Sequence, residues 1–408
     1  MGTFWKALRS GHWPSLVGAW LHFEVSFMVW LLIGALGVSI AGEFGLSATQ
    51  KGFLVAVPLL GGALLRILVG ASSDRLGPKR TGLVLLVGEL VVLLWGWLGA
   101  TSYAELLGVG LCLGVAGASF AVALPLASRA YPAAHQGLVM GVAASANSGT
   151  VLAAFFAPRL GQVVGWHNVF GLMTIPVLGT ILLFVLLVRD NGRHRPNEHQ
   201  SNWARPLADM LRRPSMYWLC AVYAVTFGGF VGLCSFLPIF FHDEYGLDLV
   251  TAGSAAALCA LAGSLIRPFG GYAADRFSAL HILLVLFVGM AMLAGLLGQL
   301  LPIQWALSLM VATVALMGCG NGVIFRLVSD RFQTQIGMAS GLIGAAGGLG
   351  GFLLPSWLGL LKDATGSHMS GFLLLAVLCA LAAVSVVAAI RRGWRAASPV
   401  VGVGGVLR

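Results

Sequence analysis

Charge is what this 408-residue sequence has least of: 9% of its residues are Asp, Glu, Lys or Arg, and only 14 are acidic. A soluble globular chain carries about 25% charged residues, so a surface wetted on all sides is excluded. Cysteine is sparse too. Cys112, Cys220, Cys234, Cys259, Cys319 and Cys379 all fall in apolar stretches, without the spacing of a disulfide framework or a metal site, and are expected to act as small buried hydrophobes. No nucleophile–base constellation, metal-ligand spacing or phosphate-binding loop stands outside the apolar runs. An enzyme is therefore not expected, and no cofactor or metal is. A cleavable leader is not expected either, because Lys6, Arg9 and His12 lead directly into an apolar segment without a small-residue cleavage site.

What fills the chain instead is apolar: 58% of residues are hydrophobic, mean hydropathy is +0.92, and there are 56 glycines. Small residues let membrane helices approach closely. Apolar runs of about 20 residues, the length that crosses a bilayer, occur near 15–41, 52–73, 82–100, 104–128, 138–160, 167–188, 216–241, 251–274, 279–300, 304–329, 338–361 and 369–390. The expected fold is an all-α polytopic membrane protein of twelve transmembrane helices. Its one long polar segment, 189–214, separates a six-span half (1–188) from a second (215–395), with a tail at 396–408. The net charge of +10 follows the loops and so does not point to nucleic acid. With both termini inside, 18 Lys and Arg residues lie on the cytoplasmic side and three (Lys51, Arg159, Lys362) opposite, with Arg66, Arg267 and Arg326 left inside the membrane. The positive-inside rule thus places both ends in the cytoplasm, lipid is the expected surround, and a monomer is the default.

The two halves repeat. Arg66, Gly70, Asp74 and Arg75 recur 201 residues later as Arg267, Gly271, Asp275 and Arg276, and Gly137 and Gly141 recur as Gly337 and Gly341. Each arginine stands eight residues, about 12 Å of helix, above an acid–base pair at the cytoplasmic end, too deep to reach the interface comfortably. Neither has an acid one turn away on its own helix. A charge within a membrane span is costly and marks a functional site. A pair of guanidiniums without fixed counter-charges suits an anionic ligand, since each offers planar donors to an oxyanion. The alternative is a structural pair satisfied by backbone carbonyls or by Glu24 or Glu89.

The cluster from Gly70 through Asp74, Arg75, Gly77, Lys79 and Arg80 resembles the signature of the major facilitator superfamily between spans two and three. There Asp74, with Arg75, would latch the cytoplasmic side; Asp275 belongs to a weaker copy lacking the trailing residues, and a solvated turn is the alternative for both. Further motifs narrow the resemblance to the nitrate/nitrite porter family. They are the first-span stretch from His22 to Trp30, the fourth-span stretch from Gly114 to Pro125, the glycine-rich stretch holding Gly137, Gly141, Ser145, Asn147 and Gly149, and the paired stretches 318–326 and 341–351.

That resemblance implies two pseudo-symmetric six-helix bundles with the substrate site near the midplane between them. It implies that Arg66 and Arg267 bind nitrate and nitrite between aromatics at Phe120 and Phe227, with Tyr223 one turn away. It also implies gating and close packing at Gly141, Gly149, Gly344, Gly347 and Gly348. Where the family's first signature carries an asparagine this chain has Ala143, and Asn147, with Ser145 beside it, is taken to supply that polar role. Glu24 is the candidate for proton coupling and Glu89 a second embedded carboxyl, because a desolvated carboxyl can carry a proton at neutral pH. His22 is expected at an interface. The expected function is secondary transport across the cytoplasmic membrane, by nitrite exchange or proton symport. Alternatives are a transporter of another small anion such as a carboxylate and, remotely, a non-transporting receptor.

Overall fold

Local start and stop signals set the helices. In the computed structural model, which describes residues 10–132, 135–189, 204–332 and 336–393, Ser47 caps the second span and forms a reciprocal box with Gln50. Asp248 caps the eighth span by accepting from the N–H groups of Val250 and Thr251. Gly45 and Gly246 end the spans before them in the left-handed conformation that glycine adopts without penalty.

Twelve described segments are long and apolar enough to cross a membrane: Trp13–Phe44, Ala48–Ser73, Pro78–Leu98, Tyr103–Arg129, Val139–Val164, Trp166–Leu187, Pro214–Tyr245, Leu249–Arg276, Ala279–Leu297, Ile303–Arg331, Met338–Thr365 and Met369–Arg391. The chain is a multi-pass membrane protein of the expected architecture. Several helices run past the apolar runs because helical backbone continues into polar ends such as His242 to Tyr245. The polar segment between the halves also holds a short helix, Ala204–Leu211, which hydropathy alone did not indicate.

Four spans are interrupted. The first breaks at Leu31, the fourth between Gly117 and Phe120, the fifth at the 3-10 turn Ser145–Ser148, and the seventh at the π-helical turn Ala224–Gly228. Irregular backbone inside a membrane is tolerated where protein or a cavity surrounds it. The first and seventh spans are accordingly the most enclosed, 83% and 89% buried, while the sixth, ninth and twelfth (39%, 39% and 33%) face outward.

Each half is tied by the same kind of crossing. Gly61 meets Gly114 between the second and fourth spans, and Gly263 meets Gly318 between the eighth and tenth; a Cβ on either member would run into its neighbour's backbone. The halves meet through the second span on the eleventh, the fifth on the eighth and the first on the seventh. At the end away from the linker this seam is bonded. Asp363 accepts from Ala48 N (3.1 Å) and Thr49 N (2.8 Å), Lys51 pairs with Asp243 at 2.6 Å, and Ser235 donates to Val55 O at 2.9 Å. At the linker end, a Cβ on Gly70, Gly141 or Gly341 would meet no described atom within 4 Å. Among the described residues the seam is bonded at the end away from the linker, and these three glycines at the other end have open space beside them.

Candidate functional site

Arg66 is 1% exposed. Its Nε donates to Gly117 O at 3.0 Å, a carbonyl at the break in the fourth span, and its Nη1 donates to Gly344 O at 2.5 Å across the seam. Two of its nitrogens are thus fixed by backbone, one from each half of the molecule. The third, Nη2, is buried without a partner. Aromatic faces surround the guanidinium, with ring centroids of Phe227, Trp30 and Phe120 at 5.0, 5.1 and 5.9 Å. Cations are attracted to such faces, so the rings hold the side chain without neutralising it.

Arg267, also buried, lies 5.8 Å from the ring of Phe325 and within reach of the Tyr223 hydroxyl, with Nη1 unpartnered. The walls between the two arginines are continuous. Tyr223 and Phe227 stack at 5.1 Å and 1°, the edge of Phe325 meets Tyr223 at 5.4 Å and 89°, and Phe325 approaches Phe120 at 5.8 Å. The π-helical turn immediately follows Tyr223 and contains Phe227; such turns often occur at functional sites.

Glycine in the eleventh span makes room for this. A Cβ on Gly347 would stand 2.8 Å from both Tyr223 and Phe227, and one on Gly348 would stand 2.9 Å from Ala63. Gly344 supplies the carbonyl that holds Arg66.

No described carboxylate reaches the arginines. Glu24 accepts from Ser148 Oγ at 2.7 Å, and Glu89 accepts from Ser26 Oγ at 2.7 Å. Of the alternatives left open by the sequence, backbone carbonyls satisfy part of Arg66 and the two carboxyls satisfy neither arginine. Two cationic groups, each with a free N–H, facing one aromatic enclosure can receive a small planar oxyanion.

The other expected site residues lie elsewhere. Ser145 accepts from Trp20 Nε1 (3.2 Å) and donates to Val142 O (2.7 Å). The Asn147 amide nitrogen, in the orientation its neighbours favour, donates to Ala144 O (3.0 Å) and Ser145 O (3.3 Å). Both sit on the fifth-span turn, which packs against the eighth span, but their hydrogen bonds stay within the first half. Gly149 presses on the Glu24 carbonyl, bringing the first and fifth spans together, whereas Gly141 has open space beside it.

Asp275 pairs with Arg326 at 3.1 Å, and Arg326 also bonds Asp330 at 3.3 Å. Arg326 is therefore not a membrane-embedded charge as its place in an apolar run suggested: its side chain is 46% exposed at the linker end. Arg75 is exposed, and the side chain of Asp74 lies outside the described residues. His22, expected at an interface, is instead fully buried, with Nε2 3.2 Å from Gly82 O and its ring against Phe184. Cys112 is exposed rather than buried. Trp30, Phe325 and the Gly117 carbonyl were not singled out from the sequence; all three stand within motif stretches, but only the crossing of spans turns them to the arginines.

The Major Facilitator Superfamily model matches residues 19–355. "Probable nitrate/nitrite transporter NarK2" of Mycobacterium tuberculosis is 34% identical over 376 residues, covering 90% of this chain and 93% of its own. "Nitrite extrusion protein" of Bacillus subtilis is 33% identical over 87% of this chain and 89% of its own. "Probable nitrate/nitrite antiporter NarK1" of Thermus thermophilus is 32% identical, covering 88% of each chain. Among solved structures, a D-xylose-proton symporter superposes with TM-score 0.72 over 93% of this chain and 97% of its own, at 20% identity, which speaks to the fold alone.

Proposed function

Since the chain belongs to the nitrate/nitrite porter family of the Major Facilitator Superfamily, we propose that it carries nitrate and nitrite across the cytoplasmic membrane, both termini inside, by alternating access. One observation carries the reading. Two buried guanidiniums, contributed by opposite halves, each keep an unpartnered nitrogen beside one aromatic enclosure from which described carboxylates are absent. Nitrate and nitrite are flat, singly charged and weakly hydrated, so they lose little on leaving water for aromatic walls and gain charge-assisted hydrogen bonds to arginine.

The mechanism follows from charge. Arg66 and Arg267 repel each other in a medium of low dielectric. An anion between them offsets that repulsion and lets the halves approach at the linker end, while the outer seam, bonded by Asp363 and by the Lys51–Asp243 pair, must part. The distribution of Lys and Arg supports a cytoplasmic position for the open side. With Asp275 already paired within its own half, the latch on that side falls to Asp74 and Arg75.

Exchange of nitrate for nitrite is the coupling this arrangement supports best, because an empty site leaves two like charges facing each other and a loaded one does not. Proton symport through Glu24 is the second reading. Its support is that Glu24 bonds the fifth-span turn packed on the span carrying Arg267. Purified protein in proteoliposomes separates the two. Nitrate uptake that needs internal nitrite and ignores an imposed pH gradient fits exchange; uptake driven by inward protons without internal nitrite fits symport. No nitrate movement under either condition sinks the assignment.

A further inference from the structure

We propose that Asn321 is a third polar arm of the anion site and sets its preference for nitrate over nitrite; this rests on the substrate reading above. Asn321 is 0% exposed, yet neither atom of its carboxamide has a hydrogen-bond partner. Buried polar groups are almost always paired, so a fully enclosed amide with both ends free needs a ligand. Its flanking residues fix where it faces. A Cβ on Gly320 would lie 2.8 Å from Thr226 Cγ2 on the seventh span, and a Cβ on Gly322 would run into Arg267 O on the eighth. Side chains step by about 100° per helical residue, so Asn321 projects between those two spans.

Four residues on, and therefore on the same helix face, stands Phe325, whose ring lies 5.4 Å from Tyr223 and 5.8 Å from the Arg267 guanidinium. The carboxamide is thus one turn from the aromatic wall, towards the closed end of the molecule. Two further buried hydroxyls without partners occur at the same level, Thr226 Oγ1 and Ser264 Oγ, the latter one turn from Arg267. Polar capacity from the seventh, eighth and tenth spans converges beside Arg267.

Nitrate presents one more oxygen than nitrite. Two arginine arms satisfy part of either ion, and a third donor from a different direction is met fully only by the ion with the additional oxygen. A site that hydrogen-bonds a substrate group discriminates against an analogue lacking it, because its own donor is then left unpaired. Asn321 supplies that donor through its amide N–H, beside the unpartnered hydroxyls of Thr226 and Ser264.

The test is titration of the purified full-length protein with sodium nitrate and, separately, sodium nitrite, comparing wild type with Asn321→Leu and the milder Asn321→Ser. In Asn321→Leu, nitrate affinity should fall about tenfold or more, the loss of one hydrogen bond to a charged partner, while nitrite affinity changes less than about threefold. Asn321→Ser should fall between. An unchanged nitrate-to-nitrite ratio, or equal weakening of both ions, overturns the proposal and leaves Asn321 a structural residue. If Asn321→Leu does not fold, the ratio in Asn321→Ser decides by the same criterion. Wild-type protein that binds neither ion overturns the substrate reading and this inference with it, which separates that failure from a failure of Asn321 alone.

Discussion

Arg66 and Arg267 occupy matching places in the repeat but are held differently. Arg66 spends two nitrogens on the carbonyls of Gly117 and Gly344, so its fork is oriented before any anion arrives; Arg267 leans on Tyr223 and Phe325 and is less tethered. A lysine keeps the charge but can neither span two carbonyls and a ligand in one plane nor present a bidentate edge. Arg66→Lys and Arg267→Lys are each expected to cut nitrate uptake by about a hundredfold while the purified protein remains monodisperse. Uptake within a few fold of wild type in both variants would be incompatible with a two-arginine site. The position of these charges was readable from the sequence, since an arginine within an apolar run has few explanations. Their surroundings were not. Trp30, Phe325 and Asn321 look like ordinary packing residues until the break at Leu31 and the glycine contacts of the tenth span turn them inward.

At the scale of helices, span number and length were legible because bilayer thickness leaves little freedom. The interruptions were harder to see. The break at Leu31 has no glycine or proline within it, and the π-helical turn Ala224–Gly228 reads as ordinary apolar helix. Both depend on neighbouring spans that re-satisfy the backbone, which is a tertiary property. The seam between halves has the same character. Asp363 caps the N-terminus of the second span from the eleventh, a contact 314 and 315 residues apart in sequence. A cap of this kind contributes about 1 kcal/mol, here to the state closed on the side away from the linker. Asp363→Ala combined with Lys51→Ala should therefore favour opening on the side away from the linker. A cysteine introduced by Ser235→Cys, beneath that seam, should then react faster with an impermeant maleimide added from that side. Equal labelling with and without the two substitutions would remove this latch from the proposed mechanism.

For the whole molecule, the six-span repeat could be read from matching motifs, whereas the state of the transporter could not. The bonded end away from the linker and the open space beside Gly70, Gly141 and Gly341 are what a conformation open towards the linker would show. In that state a single hydrogen bond, Arg66 Nη1 to Gly344 O, crosses from the first arginine to the second half at the level of the site. In the proposed mechanism occupancy and closure are joined there, because whatever draws Arg267 towards Arg66 also draws the halves together. The claim is most directly tested by determining the structure of the purified protein in saturating nitrate. An anion is expected within hydrogen-bonding distance of Arg66 Nη2 and Arg267 Nη1, enclosed by Phe120, Phe227 and Phe325. Nitrate bound elsewhere, or the two arginines unoccupied at saturation, would contradict it.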